Sequence, residues 1–182
     1  THAHIDHSGL LPFLYARGFR GSVYTTDATA DLCSIMLRDS AHIQMQEAEW
    51  KNRKAKRSSE HAQVDPLYTM EDADGVIRRL VPCEYEKKIE VCPGVVIRFT
   101  DIGHLLGSAS IEVWATEEDV TRKLVFSGDI GNTGLPLMKD PRMTKEADYV
   151  IMESTYGDRN HSEEKVDFVA ELSRILQQTF DA

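Results

Sequence analysis

The chain has 182 residues, of which 41% are hydrophobic and 28% charged, and its formal net charge is −9. That length can hold one ordinary domain with a substantial core; no apolar run approaches the roughly 20 residues of a membrane span, and no secretory leader is visible. Net acidity gives no overall pull toward nucleic acid, yet bound divalent cations would offset carboxylates locally, so a phosphate-bearing substrate stays open.

The chain opens on Thr1-His2-Ala3-His4-Ile5-Asp6-His7-Ser8-Gly9, three imidazoles and one carboxylate within six residues. Neutral imidazole nitrogen with carboxylate oxygen suits zinc, with iron or manganese as competitors. On a strand end running into a tight loop, His2 and His4 share a face and Asp6 and His7 turn past them, so that one short segment serves two neighbouring ions. An expression-tag remnant would be an unbroken histidine run, without Ala3 and Ile5 between the ligands. A metal motif at the second residue, with no initiator Met, reads as an internal piece of a longer protein.

Leu10, Leu11, Phe13 and Leu14 predict a short helix stopped at Gly18. Residues 22–25 predict a strand, and Thr26-Asp27 offers N-cap chemistry for a helix through Leu32, Ile35, Met36 and Leu37. From Arg38 to Asp65 the pattern is polar and partly helical. Its basic cluster, Lys51, Arg53, Lys54, Lys56 and Arg57, is either a solvated face or a phosphate-contacting one. His42 and His61 read as surface or structural residues. Thr69-Met70-Glu71-Asp72 predicts a capping box for a helix to about Leu80, ended by Pro82. Cys33, Cys83 and Cys92 are odd in number and lack C-x-x-C spacing, which points to reduced thiols of a cytoplasmic protein.

Four strands are then predicted at 88–91, 95–100, 110–116 and 123–126, and Tyr149-Val150-Ile151-Met152 reads as a fifth, buried in a sheet. The tail from Ser162 to Phe180 has helical periodicity in Val166, Val169, Leu172, Ile175 and Leu176, with Glu163 and Glu164 in its first turn. Helices alternating with clustered strands predict a layered α/β fold. His104 follows one strand between Gly103 and Gly107, and Asp129 follows another between Gly128 and Gly131. With the opening motif, both become candidate ligands, and Asp129 is the candidate bridge that would hold two cations about 3.5–4 Å apart. His161 could line a cleft or serve a helix entry.

The series His2-Ala3-His4-Ile5-Asp6-His7, Gly103-His104 and Gly128-Asp129 resembles the ordered motifs of the metallo-β-lactamase superfamily. Glu153-Ser154-Thr155-Tyr156-Gly157-Asp158-Arg159 resembles the first acidic motif of its β-CASP branch, RNA-processing nucleases that include ribonuclease J and the pre-mRNA 3′-end cleavage factor. The resemblance runs from Thr1 to about His161. It implies a partial four-layer αββα sandwich: a core over 1–161, then a helix over 162–182 leading into a β-CASP domain that the chain lacks. It implies two Zn2+, with His2, His4 and His104 on one, Asp6 and His7 on the other, and Asp129 bridging. Asp6 and Glu153 become catalytic candidates, Glu153 as support for a general-acid histidine from a later part of the protein. A family aspartate in an early strand and two later histidines, one a ligand of the second zinc, have no counterpart, so the second site is incomplete.

The implied chemistry is phosphodiester hydrolysis of RNA by metal-activated hydroxide. The expected partners are an RNA substrate and, optionally, a second copy of the chain, with no membrane partner. One rival is a binuclear zinc hydrolase of a thioester, lactone or β-lactam, since the same centre serves carbonyl chemistry. Another is a non-catalytic scaffold subunit of an RNA-processing complex, although all six ligand positions expected in this stretch are filled.

Overall fold

The computed structural model describes residues 1–57, 63–160 and 167–181, residue 57 in its backbone only. His61, His161 and residues 162–166, the expected start of the last helix with Glu163 and Glu164, lie outside the described residues.

The opening histidine segment is not a strand end. Residues Ile5–Ser8 form a single helical turn, α1, in which the His7 and Ser8 N–H groups donate to the His4 carbonyl at 3.0 and 2.9 Å. The reason lies in Ser8, a buried residue whose hydroxyl reaches back to the carbonyls of Ala3 and His4, each at 3.0 Å, and so satisfies backbone that a strand would have paired elsewhere. Helix α2 (Leu11–Ala16) follows, with Pro12 in its first turn, where the missing N–H costs nothing.

Strand β1 (Val23–Thr26) runs directly into α3 (Asp27–Arg57), capped by Thr26, whose hydroxyl accepts the Thr29 N–H at 3.4 Å. Of the stretch from Arg38 to Asp65, expected to be partly helical, residues 38–57 continue this one helix and 63–65 lie outside any helix. The helical part contains neither Gly nor Pro, is rich in Ala, Glu, Gln, Lys and Arg, and buries Ala41 and Ala48. Helix α4 (Met70–Ile77) carries the predicted capping box, with Thr69 and Asp72 each satisfying the other's backbone N–H. It is shorter than expected, because Leu80–Cys83 form strand β2, parallel to β1, with Pro82 opposite Thr25. Pro82 therefore lies in a strand rather than ending a helix. A two-stranded sheet consists of edges, where a missing donor is tolerated.

Strands β3 (Ile89–Cys92), β4 (Val95–Asp101), β5 (Ala109–Glu117) and β6 (Val120–Phe126) make an antiparallel meander, and β7 (Tyr149–Ile151) adds parallel to β6. The architecture is α/β with two sheets, one of them mixed. Alternation along β1 and β2 sets the layering. Val23 and Leu80 pack with Leu37, Ala41, Tyr68 and Val76 on the helical side, whereas Tyr24, Val81 and Cys83 pack with Ile97, Phe99 and Ala109 of the larger sheet. Helices, small sheet and large sheet are thus successive layers, and β1 and β2 feed both cores.

The opposite face of the large sheet is polar. Glu112 is fully buried there, taking hydrogen bonds from Arg98 and Lys123 and, at 3.2 Å, from the Thr144 hydroxyl. Burial alone would raise its pKa, but the donated hydrogen bonds and charges of Arg98 and Lys123 prevail and hold the carboxyl below its ordinary range. Strand β7 corrects the expectation of a buried strand, since Tyr149, Val150, Ile151 and Met152 are 48–63% exposed. Among the described residues it pairs with β6 alone. Helix α5 (Phe168–Phe180), capped by Asp167, likewise exposes Phe168, Val169, Leu172, Ile175 and Leu176.

Candidate metal centre

Three turns of chain meet at the ends of the layers. The loop after β4 carries His104, the loop after β6 carries Asp129, and α1 with the residues before it carries His2, His4, Asp6 and His7. Their approach is enforced by backbone without side chains. Gly131 donates its N–H to the Ile102 carbonyl at 3.0 Å, and a Cβ there would sit 2.0 Å from the Gly103 oxygen. Gly128 adopts φ +59, and a Cβ on it would meet Thr1 at 2.8 Å. Only glycine permits both close approaches.

Hydroxyl groups hold each loop. Ser108, fully buried, accepts the N–H groups of His104 and Leu105 at 3.1 and 3.2 Å. The hydroxyls of Thr26 and Thr29 both donate to the Gly107 carbonyl, at 2.6 and 2.8 Å, which ties the His104 loop to the start of α3. Ser127 accepts the Glu153 N–H at 3.1 Å, and Glu153 Oε1 accepts the Ile130 N–H at 2.6 Å. Glu153 thus lies one residue from Asp129 through its hydrogen bond, although 24 positions away in the chain.

The six residues singled out as ligands in the sequence come together here. Ligand atoms of His2, His4, His104 and Asp129 all lie within 4.8 Å of one another, as do those of Asp6, His7 and Asp129. Asp129 divides its oxygens between the groups. Oδ2 is 3.7 Å from His2 Nε2 and 3.6 Å from His104 Nε2, while Oδ1 is 3.1 Å from His7 Nε2. His4 enters through Nδ1, 3.0 Å from His2 Nε2. Thr1 Oγ1 lies 3.3 Å from Nδ1 of both His2 and His7, a contact on the far side of each ring that orients Nε2 inward.

The arrangement fits a cation. His104 Nε2 is buried without a hydrogen-bond partner, an expense that a coordinated ion would remove. Burial, reinforced by the neighbouring imidazoles of His7, His104 and His4, pushes His2 down to about 3, so its ring is neutral at ordinary pH, as a ligand must be. The first group offers four donors in the nitrogen-rich set that zinc favours; the second offers three.

Sequence reasoning overlooked the supporting hydroxyls of Ser8, Ser108 and Ser127. Their signal was present, since each loop carries a serine within four residues of its ligand. His42 lies on exposed α3 beside Gln46, at 2.9 Å, away from the centre. Cys33 and Cys83 are buried free thiols and Cys92 is an exposed one; none joins the cluster.

No family model matches the chain. It is 35% identical over 179 residues to ribonuclease TTHA0252 of Thermus thermophilus, covering 98% of this chain and 36% of that protein. It is 30% identical over 166 residues to transcription termination factor FttA of Pyrococcus abyssi, covering 88% of this chain and 22% of the relative. Against FttA of Methanocaldococcus jannaschii it is 28% identical over 187 residues, the whole of this chain and 26% of that protein. The chain thus spans between a fifth and two fifths of the curated relatives it matches.

Proposed function

Because the chain belongs to the β-CASP branch of the metallo-β-lactamase superfamily, we propose that the protein it forms part of is a zinc-dependent hydrolase of RNA phosphodiester bonds. The observation that carries the reading is the division of Asp129, with Oδ2 toward His2 and His104 and Oδ1 toward His7. A carboxylate so placed suits a bridge between two cations. In this reading the helical layer and two sheets belong to an αββα sandwich, with residues 1–161 as its core and 162–182 leading onward.

When bound, the cation pair supplies Lewis acidity toward a phosphate oxygen and a nucleophile active at neutral pH. The chain's own residues hold and aim. His2, neutral and buried, presents Nε2 to the first site with His4 Nδ1 and His104 Nε2, and the Thr1 hydroxyl fixes the rings of His2 and His7. Asp6, with its carboxylate 76% accessible and 3.5 Å from His7, is open to solvent and positioned to orient the attacking group. Glu153, through the Ile130 N–H, keeps the Asp129 loop in place; in the proposed whole protein it also supports a histidine from a later segment that would protonate the departing ribose oxygen. Free thiols at Cys33, Cys83 and Cys92 suit a cytoplasmic setting.

The test uses the full-length protein. Wild type should bind close to two zinc ions and cleave end-labelled RNA. Asp129→Ala should lose at least one ion and about 100-fold or more in rate, the scale on which removing a charge-stabilising group acts. Full metal content with normal turnover in that variant would overturn the bridge. A thioester turned over in preference to RNA would favour the carbonyl hydrolase, and wild type devoid of stoichiometric metal would favour the scaffold.

A further inference from the structure

Tyr85, in the turn between β2 and β3, is not among the candidate ligands, yet its hydroxyl ends inside the framework that carries them. The phenol donates to the Ser108 carbonyl at 2.9 Å, although the two residues stand 23 positions apart. Its ring packs against the core of Cys83, Ile97, Phe99 and Ala109, and the next residue, Glu86, donates its N–H to the Phe99 carbonyl at 2.8 Å. Ring and backbone are thus both held, so the oxygen is placed with little freedom. Burial first, and the Asp101 carboxylate second, push Tyr85 up to about 12, so the phenol keeps its proton and its donor role throughout the neutral range. Filling the core needs only the ring, which phenylalanine supplies equally; the hydroxyl serves the loop.

The Ser108–Ala109 peptide that Tyr85 grips is where two ligand segments meet. A trans peptide is planar, with its C=O and N–H on opposite sides. Tyr85 holds the oxygen, and on the other side the Ala109 N–H donates to the Thr1 carbonyl at 2.9 Å. That carbonyl belongs to the peptide leading into His2. Ser108 itself accepts the His104 and Leu105 N–H groups on its hydroxyl and donates its own N–H to the Leu105 carbonyl at 3.0 Å. The Thr26 hydroxyl, which supports the neighbouring Gly107 carbonyl, lies within hydrogen-bonding reach of the same phenol. A shift of the Ser108–Ala109 peptide would therefore move His2 and His104 together, and both belong to the group of His2, His4, His104 and Asp129. In the second group, Asp6 and His7 lie on α1, where the His7 N–H closes on the His4 carbonyl instead.

We infer that Tyr85 is a positioning residue for the metal centre, setting His104 and His2 for the first site through the Ser108–Ala109 peptide and leaving the Asp6 and His7 side to α1. The inference rests on the cation reading above and adds to that centre a residue outside its ligand set. Groups behind metal ligands fix ring orientation, and their loss weakens the metal rather than the fold.

The experiment uses the full-length protein and Tyr85→Phe, which keeps the ring and removes the hydroxyl. Zinc affinity is measured by competition with a chromogenic chelator, and the visible absorption of the cobalt-substituted protein is recorded. Both are done in the otherwise unaltered protein, which gives two stepwise constants, and in an Asp6→Asn/His7→Asn background, which isolates the first site. Tyr85→Phe should weaken zinc about tenfold at the isolated site and alter its cobalt band; in the unaltered protein one constant should fall about tenfold and the other by less than about twofold. Ser108→Ala, which cuts the link from that peptide to the His104 loop, should reproduce the cobalt change, and the double variant should lose less than the two single losses together, because they share one route. Thr69→Ala removes the α4 cap and controls for lost stability: it should lower the melting temperature with both zinc constants kept. Unchanged affinity and spectrum at the isolated site would overturn the inference, as would equal falls in both constants, full additivity with Ser108→Ala, or the same zinc loss in Thr69→Ala. An isolated site that takes up neither zinc nor cobalt with Tyr85 intact would sink the cation reading and this inference together, whereas uptake indifferent to Tyr85→Phe sinks the inference alone.

Discussion

At the scale of single residues, Asp129 can face two sets of donors because its loop is squeezed between Thr1 and the Ile102–His104 turn, where side chains have been removed. Gly131→Ala should force those turns apart, since its Cβ would meet the Gly103 oxygen at 2.0 Å. A loss of about 1–3 kcal/mol in chemical denaturation, with weaker zinc uptake, is expected; unchanged metal affinity would show that the two loops need not touch. Glu112 makes a different kind of contribution. As its carboxyl is held below the ordinary value of 4.5, its stabilisation is complete above that pH and is lost as pH falls through the depressed value. Glu112→Gln leaves Arg98 and Lys123 facing a neutral amide and should cost about 2 kcal/mol near pH 7, less than the roughly 3–5 kcal/mol of a fully buried pair because both cations are partly solvated. The gap between wild type and variant, read by urea unfolding, should narrow below pH 4.5; a constant gap would contradict the assigned charge. The candidate ligands that converge were legible at this scale because imidazole and carboxylate announce their chemistry. The serines and threonines that hold them were not, since a hydroxyl serves many local purposes and only its partner reveals which.

Among elements, helices with local signals followed expectation. The capping box at Thr69 is complete in the structure, and Thr69→Ala should cost about 1 kcal/mol, visible as a lower melting temperature; no change would mean that α4 is held by packing alone. Elements whose nature depends on partners did not follow. The opening segment closed into α1 because the Ser8 hydroxyl had backbone carbonyls to meet, and residues 80–83 became a strand because β1 lay beside them. The apolar 149–152 run reads the same whether central or peripheral, and among the described residues it pairs with β6 alone.

For the molecule as a whole, the candidate metal centre joins loops from separate layers, so ion binding there should be worth folding energy. At free zinc about 100 times its dissociation constant, one site adds about 2.7 kcal/mol. Chelation should therefore lower the melting temperature, and zinc should restore it in wild type but only in part in Asp129→Ala. An unaltered melting temperature on chelation would argue against a cation in the cluster. Net charge averages over features of opposite sign: an excess of acids coexists here with a basic helix end, and only the local field is sensed within a Debye length of about 10 Å.

The identity and order of the candidate ligands, the α/β character and the family motifs were all readable from residue types and short spacings, because ligand chemistry and helical or strand periodicity are local properties. Which oxygen of Asp129 faces which imidazole, the neutrality of His2 and the tie from Glu153 to Ile130 emerged from folding. Each depends on groups more than twenty, and in some cases more than a hundred, positions apart, and such distances close only when the layers pack.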